Sequence, residues 1–216
     1  MLIPINVFRY VNGKLFEERL PVAAFDSKMR DELLKCCALD WGKISPAIFG
    51  SLFQSVMDEK ARRNLGAHYT SERNILKVIK PLFLDELWNE FNTVKNDKTK
   101  ILKLHNKIRS LRFLDPACGC GNFLIISYRE LRLLELEIVK QLLNNQTVTS
   151  INDYFLVNVD QFYGIEYEEF PAQIAQVAMW LIDHQMNLEA SVFFGELYLR
   201  YPLLKSAKIT HGNALL

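Results

Sequence analysis

One stretch, Phe113-Leu114-Asp115-Pro116-Ala117-Cys118-Gly119-Cys120-Gly121-Asn122-Phe123, constrains the fold of this 216-residue chain more than any other. Arg112 to Leu114 reads as a short strand. Asp115 stands before Pro116, which pushes its backbone away from helix. Two glycines then alternate with small residues. From Phe123-Leu124-Ile125-Ile126 onward an apolar pattern with helical spacing runs to Leu143. A strand that ends on a carboxylate, a tight glycine turn and a helix make the first βα turn of a doubly wound α/β sheet, where ligands sit beyond the strand ends. Glycine at such a turn lets backbone approach a ligand with no Cβ in the way.

The kind of ligand follows from what the turn lacks. A dinucleotide fingerprint needs a third glycine, and position 124 is leucine. The chain has no GxxxxGK[ST] phosphate loop either. A carboxylate at the strand tip repels phosphate and suits a cation. S-adenosylmethionine, with its ammonium, sulfonium and ribose diol, fits that preference. A second acidic strand end, Glu166, closes the apolar run of residues 155–166, and its carboxylate can accept both ribose hydroxyls. Tyr167 follows and is placed to pack on adenine.

Residues 5–20 read as a hairpin around Asn12-Gly13. A helix over 27–40 is expected to bury Leu33, Leu34, Cys37 and Leu39, which makes Cys36-Cys37 core. The next helix is expected to be capped by Ser45, with Pro46 at its first position and Ile48, Phe49, Leu52, Phe53, Val56 and Met57 at helical spacing. Gly66-Ala67-His68-Tyr69-Thr70 is a loop, and Thr70 or Ser71 caps a helix kinked at Pro81. A loop followed by a helix N-terminus offers free N–H groups to a carboxylate, such as the one on the cofactor's methionine end. The lysine- and arginine-rich stretch 92–112 reads as a solvated connector with His105 at the surface. A second long helix is expected over 170–186, residues 188–207 stay unplaced, and a last strand covers 208–211 before Gly212-Asn213.

These segments together resemble the amino-methylating DNA methyltransferases. Asp115 to Phe123 is similar to their first motif, Asp-Pro-Ala-x-Gly-x-Gly-x-Phe. Leu65-Gly66-Ala67-His68-Tyr69-Thr70-Ser71 resembles a Gly-x-Tyr-Thr motif that precedes the glycine loop in the adenine-N6, gamma-type order. Phe162-Tyr163-Gly164-Ile165-Glu166 and His211-Gly212-Asn213-Ala214-Leu215 resemble the second and third motifs. Ser45-Pro46-Ala47-Ile48-Phe49-Gly50 looks most like the MmeI-like fused type II restriction–modification branch. The resemblance implies an S-adenosylmethionine site built from Ala67, His68, Tyr69, Thr70, Asp115, Pro116, Ala117, Cys118, Gly119, Gly121, Asn122, Phe123, Glu166, Tyr167, Asn213 and Ala214. Related sequences often carry Asp where Asn213 stands; Asn offers one uncharged acceptor oxygen to the adenine amino group.

The fold implied is α/β: a partial Rossmann-like class I methyltransferase sheet, strands ordered 3-2-1, over residues 66–216. A small hairpin and helical subdomain over 1–65 precedes it. The full strand order of that fold, 3-2-1-4-5-7-6, makes strand 1 central, so its outer edge here lacks a partner and self-association is expected. No Pro-Pro dipeptide occurs, so the Asn/Asp/Ser-Pro-Pro-Tyr/Phe motif that acts on a flipped base is missing and the chain holds no catalytic residue of that kind. The expectation is a cofactor-binding half that is inactive alone, with DNA as the partner of a longer enzyme. A non-catalytic scaffold module and a methyltransferase acting on protein glutamine or RNA are the alternatives.

Composition limits the rest. Half the residues are apolar, enough for one sizeable core or a core plus a smaller domain. The net charge of +1 confines any DNA-binding face to a local patch. The four cysteines show neither zinc nor disulfide-framework spacing, which suggests a reducing, cytoplasmic setting without metal. No signal peptide and no membrane-spanning run is expected.

Overall fold

The computed structural model describes residues 24–40, 44–56, 70–143, 154–194 and 207–216, with nothing to be said of the side chains of 53, 54 and 56. The predicted hairpin at 5–20 and the Ala67-His68-Tyr69 part of the predicted cofactor loop lie outside the described residues. The described helices are α1 (Ser27–Cys37), α2 (Ile48–Val56), α3 (Glu72–Ile79), α4 (Asp85–Val94), α5 (Lys98–Ser110), α6 (Asn122–Leu143) and α7 (Glu169–Phe194). The strands are β1 (Phe113–Asp115), β2 (Phe162–Glu166) and β3 (Lys208–His211).

The sheet is parallel and ordered β1-β2-β3, the predicted 3-2-1 arrangement. Phe113 pairs with Phe162, and Glu166 with His211, so the C-terminal tips of the strands lie side by side. Side chains alternate across a strand. Phe113 and Phe162 face the helices, stacked with centroids 4.8 Å apart, and the Tyr128 ring meets Phe162 edge-on. The opposite face carries Leu114, Tyr163 and Lys208. Leu114 is 63% exposed there, and the outer edge of β1 pairs with no strand among the described residues.

Helix α6 is the centre of the molecule. Its buried set runs nearly all the way round, from Leu124 to Leu143, because it lies between the sheet and the layer of α3 and α5. Helix α7 packs beside it and covers β2 and β3. At the predicted Pro81 kink the chain takes one π-helical turn, Lys80–Leu84, and continues as α4. Proline has no N–H to give to an α-helical bond, and the widened turn accommodates it. The turn brings Phe83 edge-on against Phe113, at 4.9 Å.

Several local expectations are corrected. Helix α1 buries no residue; Cys36, Cys37, Leu33, Leu34 and Leu39 are exposed, since no described element packs on that apolar side. Ser45 and Pro46 stand before α2 in a turn where the Ser45 carbonyl accepts from Ile48 N at 3.0 Å, so Pro46 is not at the first helical position. His105 is 3% exposed rather than at the surface, because α5 buries Ile101, Leu104, His105 and Ile108 as one stripe. The basic residues Lys98, Lys100, Lys103 and Arg109 are exposed, as expected of a solvated connector. Strand β1 starts one residue later than predicted, at Phe113. The run 155–166 is strand only from Phe162, after a 3-10 turn at Val159–Gln161, and α7 extends through Phe194.

Candidate cofactor site

The glycine turn is held by backbone. Cys118 N donates to Ile165 O at 3.0 Å, Gly121 N to Cys118 O at 2.8 Å, and Ile125 N to Gly121 O at 2.8 Å, which starts α6. Gly119 and Gly121 have φ of 54° and 83°, the left-handed region where glycine alone is unstrained. Their surroundings differ. A Cβ on Gly121 would stand 3.0 Å from Ala175 Cβ, so this glycine lets α7 close onto the turn. A Cβ on Gly119 would meet nothing within 4 Å. The open space sits at the strand tips, and a ligand can lie there against bare backbone.

Two carboxylates bound that space. Glu166 Oε2 accepts from Gly119 N at 2.7 Å, and Oε1 accepts from Glu168 N at 3.0 Å. Gly212 N donates to the Glu166 carbonyl at 2.8 Å, which ties the start of the third motif to the same tip. Asp115 Oδ1 accepts from Ala117 N at 3.1 Å. Burial pushes the Asp115 carboxyl above the usual aspartate range; the Ala117 N–H opposes this, and the neighbouring Glu166 charge adds to it. Two partly buried acids that repel one another are a site shaped for a cation.

The thiols of the turn are structural. Cys118 Sγ lies over Gly164 of β2, where a Cβ would come within 2.7 Å of it. Burial first, then the Asp115 and Glu166 charges, push the Cys118 thiol up to about 12. Burial and Glu166 push Cys120 to about 12 as well. Such thiols stay protonated and unreactive at neutral pH. With Cys36 and Cys37 exposed and Cys118 and Cys120 buried, an aromatic disulfide reagent is expected to titrate two thiols quickly in the native chain and all four in denaturant. Rapid reaction of all four in the native chain would contradict the packing of the turn.

The other predicted residues are placed as follows. Thr70 is half-buried just ahead of α3. Ser71, the N-cap, makes no side-chain cap bond; its carbonyl accepts from Asn74 N and Ile75 N. Glu72 binds Arg129 of α6 at 2.7 Å, which anchors the start of α3 to the helix that leaves the glycine turn. The Arg129 guanidinium holds the Glu72 carboxyl below the usual glutamate range. Pro116 and Ala117 are exposed at the turn, and Phe123 packs against the core. Tyr167 is 65% exposed beside Glu166. Asn213 and Ala214 are exposed after β3, and Asn213 Oδ1 accepts from Leu215 N at 2.9 Å. The structure thus brings Asp115, Gly119, Glu166 and the β3 tip together at one sheet end. Among the described residues no group of three His, Cys, Asp or Glu side chains is arranged to hold a metal, and no helix is long and apolar enough to cross a membrane.

Sequence reasoning quoted Gly50 without a packing role and passed over Gln185. Gln185 Nε2 of α7 donates to Ile44 O at 2.7 Å, which fixes the segment leading into α2. That contact joins residues far apart in the chain, and no local signal announced it.

Comparison with known proteins places the fold. A solved structure of the type IIL restriction-modification enzyme MmeI in complex with DNA superposes with a TM-score of 0.87 at 64% identity, covering 96% of this chain and 28% of that one. DNA methyltransferase A of Bacillus subtilis is 46% identical over 189 residues, 86% of this chain and 21% of that protein. A putative type II restriction enzyme and methyltransferase of Methanocaldococcus jannaschii is 24% identical over 178 residues, 68% of this chain and 15% of that protein. The chain therefore spans about a fifth or less of the curated relatives it matches. The family model for the MmeI DNA-methyltransferase domain matches residues 91–216, more than half of the sequence and all of the sheet, and the chain belongs to that family.

Proposed function

We propose that this chain forms the S-adenosylmethionine-binding half of a site-specific DNA methyltransferase in a restriction–modification system, with adenine N6 as the methylated atom. The observation that carries the reading is the pair of acidic strand tips, Asp115 and Glu166, on either side of a glycine turn whose Gly119 leaves open space. Bound there, the cofactor supplies a methyl group on a sulfonium. Glu166 accepts the ribose hydroxyls and Asp115 faces the cationic part. Tyr167 covers the adenine ring, while Asn213 and Ala214 border its edge. Pro116, Ala117, Cys118, Gly121, Asn122 and Phe123 shape the turn. Ala67, His68, Tyr69 and Thr70 precede α3, whose N-terminal N–H groups suit the methionine carboxylate. The tyrosine motif stands before the glycine loop, and this order favours adenine N6 over cytosine N4. DNA is the partner, and a cytoplasmic location follows from that chemistry.

No Pro-Pro motif lies in these 216 residues, so binding without turnover is expected of the chain by itself. The open β1 edge is proposed to drive self-association; a monodisperse monomer in light scattering across concentration would refute that.

Calorimetric titration tests the central reading. The unsubstituted chain should bind S-adenosylmethionine, and Glu166→Ala should weaken binding about 10- to 100-fold, the loss expected from one or two charge-assisted hydrogen bonds. Indistinguishable heats for the two proteins would end the site assignment.

A further inference from the structure

The first residue of α6, Asn122, does not stand free at the glycine turn. Helix α2 lies directly against it. A Cβ at Gly50 would come within 2.5 Å of Asn122 Nδ2, 3.1 Å of Oδ1 and 3.2 Å of Cγ. No side chain larger than glycine's hydrogen fits at position 50 while that amide keeps its place. The approach is anchored on the N-terminal side of Gly50. Ala47, 4% exposed, belongs to the core, Phe49 packs against it, and Ile44 O is held by Gln185. Among the described residues, Asn122 Oδ1 is buried there with no hydrogen-bond partner. The packing of α2 thus holds this acceptor without a donor, and a turn of the amide is what would free it to meet one.

We infer that Gly50 is a positioning residue: its missing side chain lets α2 hold the Asn122 amide for the amino-acid end of the cofactor, whose ammonium is the donor the amide lacks. The inference rests on the cofactor reading above. With Glu166 committed to the ribose and Asp115 to the cationic centre, the amide on the α6 side of the turn is left for the amino-acid group. A turn of the amide about its last bond presents its oxygen to that ammonium. Helix α2 thereby becomes a wall of the site, although its own sequence carries no cofactor motif.

The test pairs two ligands with three variants of the chain. S-adenosylmethionine has the amino-acid end and adenosine does not. Gly50→Ala is expected to weaken S-adenosylmethionine about tenfold and to leave adenosine unchanged. The reason is that the new methyl displaces the end of a side chain and leaves backbone where it was. Asn122→Ala should show the same selectivity. In Gly50→Ala/Asn122→Ala the group that clashes is gone, so the double variant should bind no worse than Asn122→Ala alone. Equal affinity of Gly50→Ala and the unsubstituted chain would overturn the inference. So would additive losses in the double variant, or equal loss for adenosine. If Gly50→Ala proves unfolded, Asn122→Ala decides: unchanged binding of S-adenosylmethionine by it refutes the positioning role. Failure of the unsubstituted chain to bind either ligand would overturn the cofactor reading itself, an outcome distinct from the others.

Discussion

Asp115→Asn is expected to make the chain more stable and nearly unable to bind the cofactor. The two effects share one cause. Asp115 is pressed above the ordinary aspartate range by burial and by Glu166 across the turn. A carboxyl whose folded pKa is raised favours the fold while protonated, below its unfolded pKa of about 3.9. That contribution is lost as pH rises through the higher folded value. At neutral pH the ionised Asp115 therefore works against the apo fold. Asparagine keeps the shape and keeps an acceptor for Ala117 N, and it removes the charge. A melting temperature raised by roughly 2–4 °C is what about 1 kcal/mol produces in a chain of this size. The gain should shrink as pH falls through the raised folded value and be gone by about pH 4, near the unfolded value, where the unsubstituted carboxyl is neutral in the fold. Cofactor affinity should fall about 10- to 100-fold at the same time, because the attraction for the cationic group is gone. Thermal melts from pH 4 to pH 8 with matched titrations measure both. A variant that melts lower at pH 7, or that binds as before, would show that the acid pair does not carry the site. Functional sites often hold such tension, and its release is why stabilising changes there cost activity.

The same turn shows what could be read from the chain alone. Asp115, Gly119, Gly121 and Glu166 were legible because each role is local: a residue before proline, two left-handed glycines, and an acid that follows an apolar run. Strand β3 was found at its observed bounds for the same reason. His105 was misplaced although the signal was present. Ile101, Leu104, His105 and Ile108 recur at helical spacing, but the surrounding lysines drew the polar face too wide. Its partner, Glu135, lies in another helix, with His105 Nε2 and Glu135 Oε1 3.0 Å apart. Charges inside α6 look solvated in sequence, yet Arg132 and Glu135 are buried because their partners arrive from α5, α7 and the segment before β2. Gly50 stood in the sequence as the end of a resembling phrase, with no packing role legible. Its importance is a close approach to Asn122, and only tertiary packing creates that.

Arg132→Met should be the most damaging single change to the fold. Arg132 is 1% exposed at the middle of α6. Its Nη1 donates to Tyr128 Oη at 2.9 Å and to Asp183 Oδ1 at 3.3 Å, its Nη2 donates to Asn187 Oδ1 at 3.0 Å, and its Nε lies 3.4 Å from Glu135 Oε2. Glu135 Oε1 in turn accepts from Val157 N at 2.8 Å on the way into β2. Methionine fills much of the same volume and leaves Asp183 and Glu135 buried without their cation. Removing one partner of a buried ion pair costs about 3–5 kcal/mol, a large share of the roughly 5–15 kcal/mol that holds a domain together. Tyr128→Phe, which removes one hydroxyl from the same cluster, should cost only about 1 kcal/mol. Urea denaturation of the two variants gives the ratio directly, and an Arg132→Met midpoint near that of the unsubstituted chain would refute the network. The consequence reaches the site, because α6 leaves the tip of β1 and α7 leaves the tip of β2. The buried cluster clamps those helices together and so fixes Asp115 relative to Glu166. S-adenosylmethionine at about 100 times its dissociation constant would return about 2.7 kcal/mol to any form that still binds it. Cofactor should therefore rescue much of the lost stability of Arg132→Met, and only about 0.4–1.4 kcal/mol of it once Glu166→Ala weakens binding 10- to 100-fold.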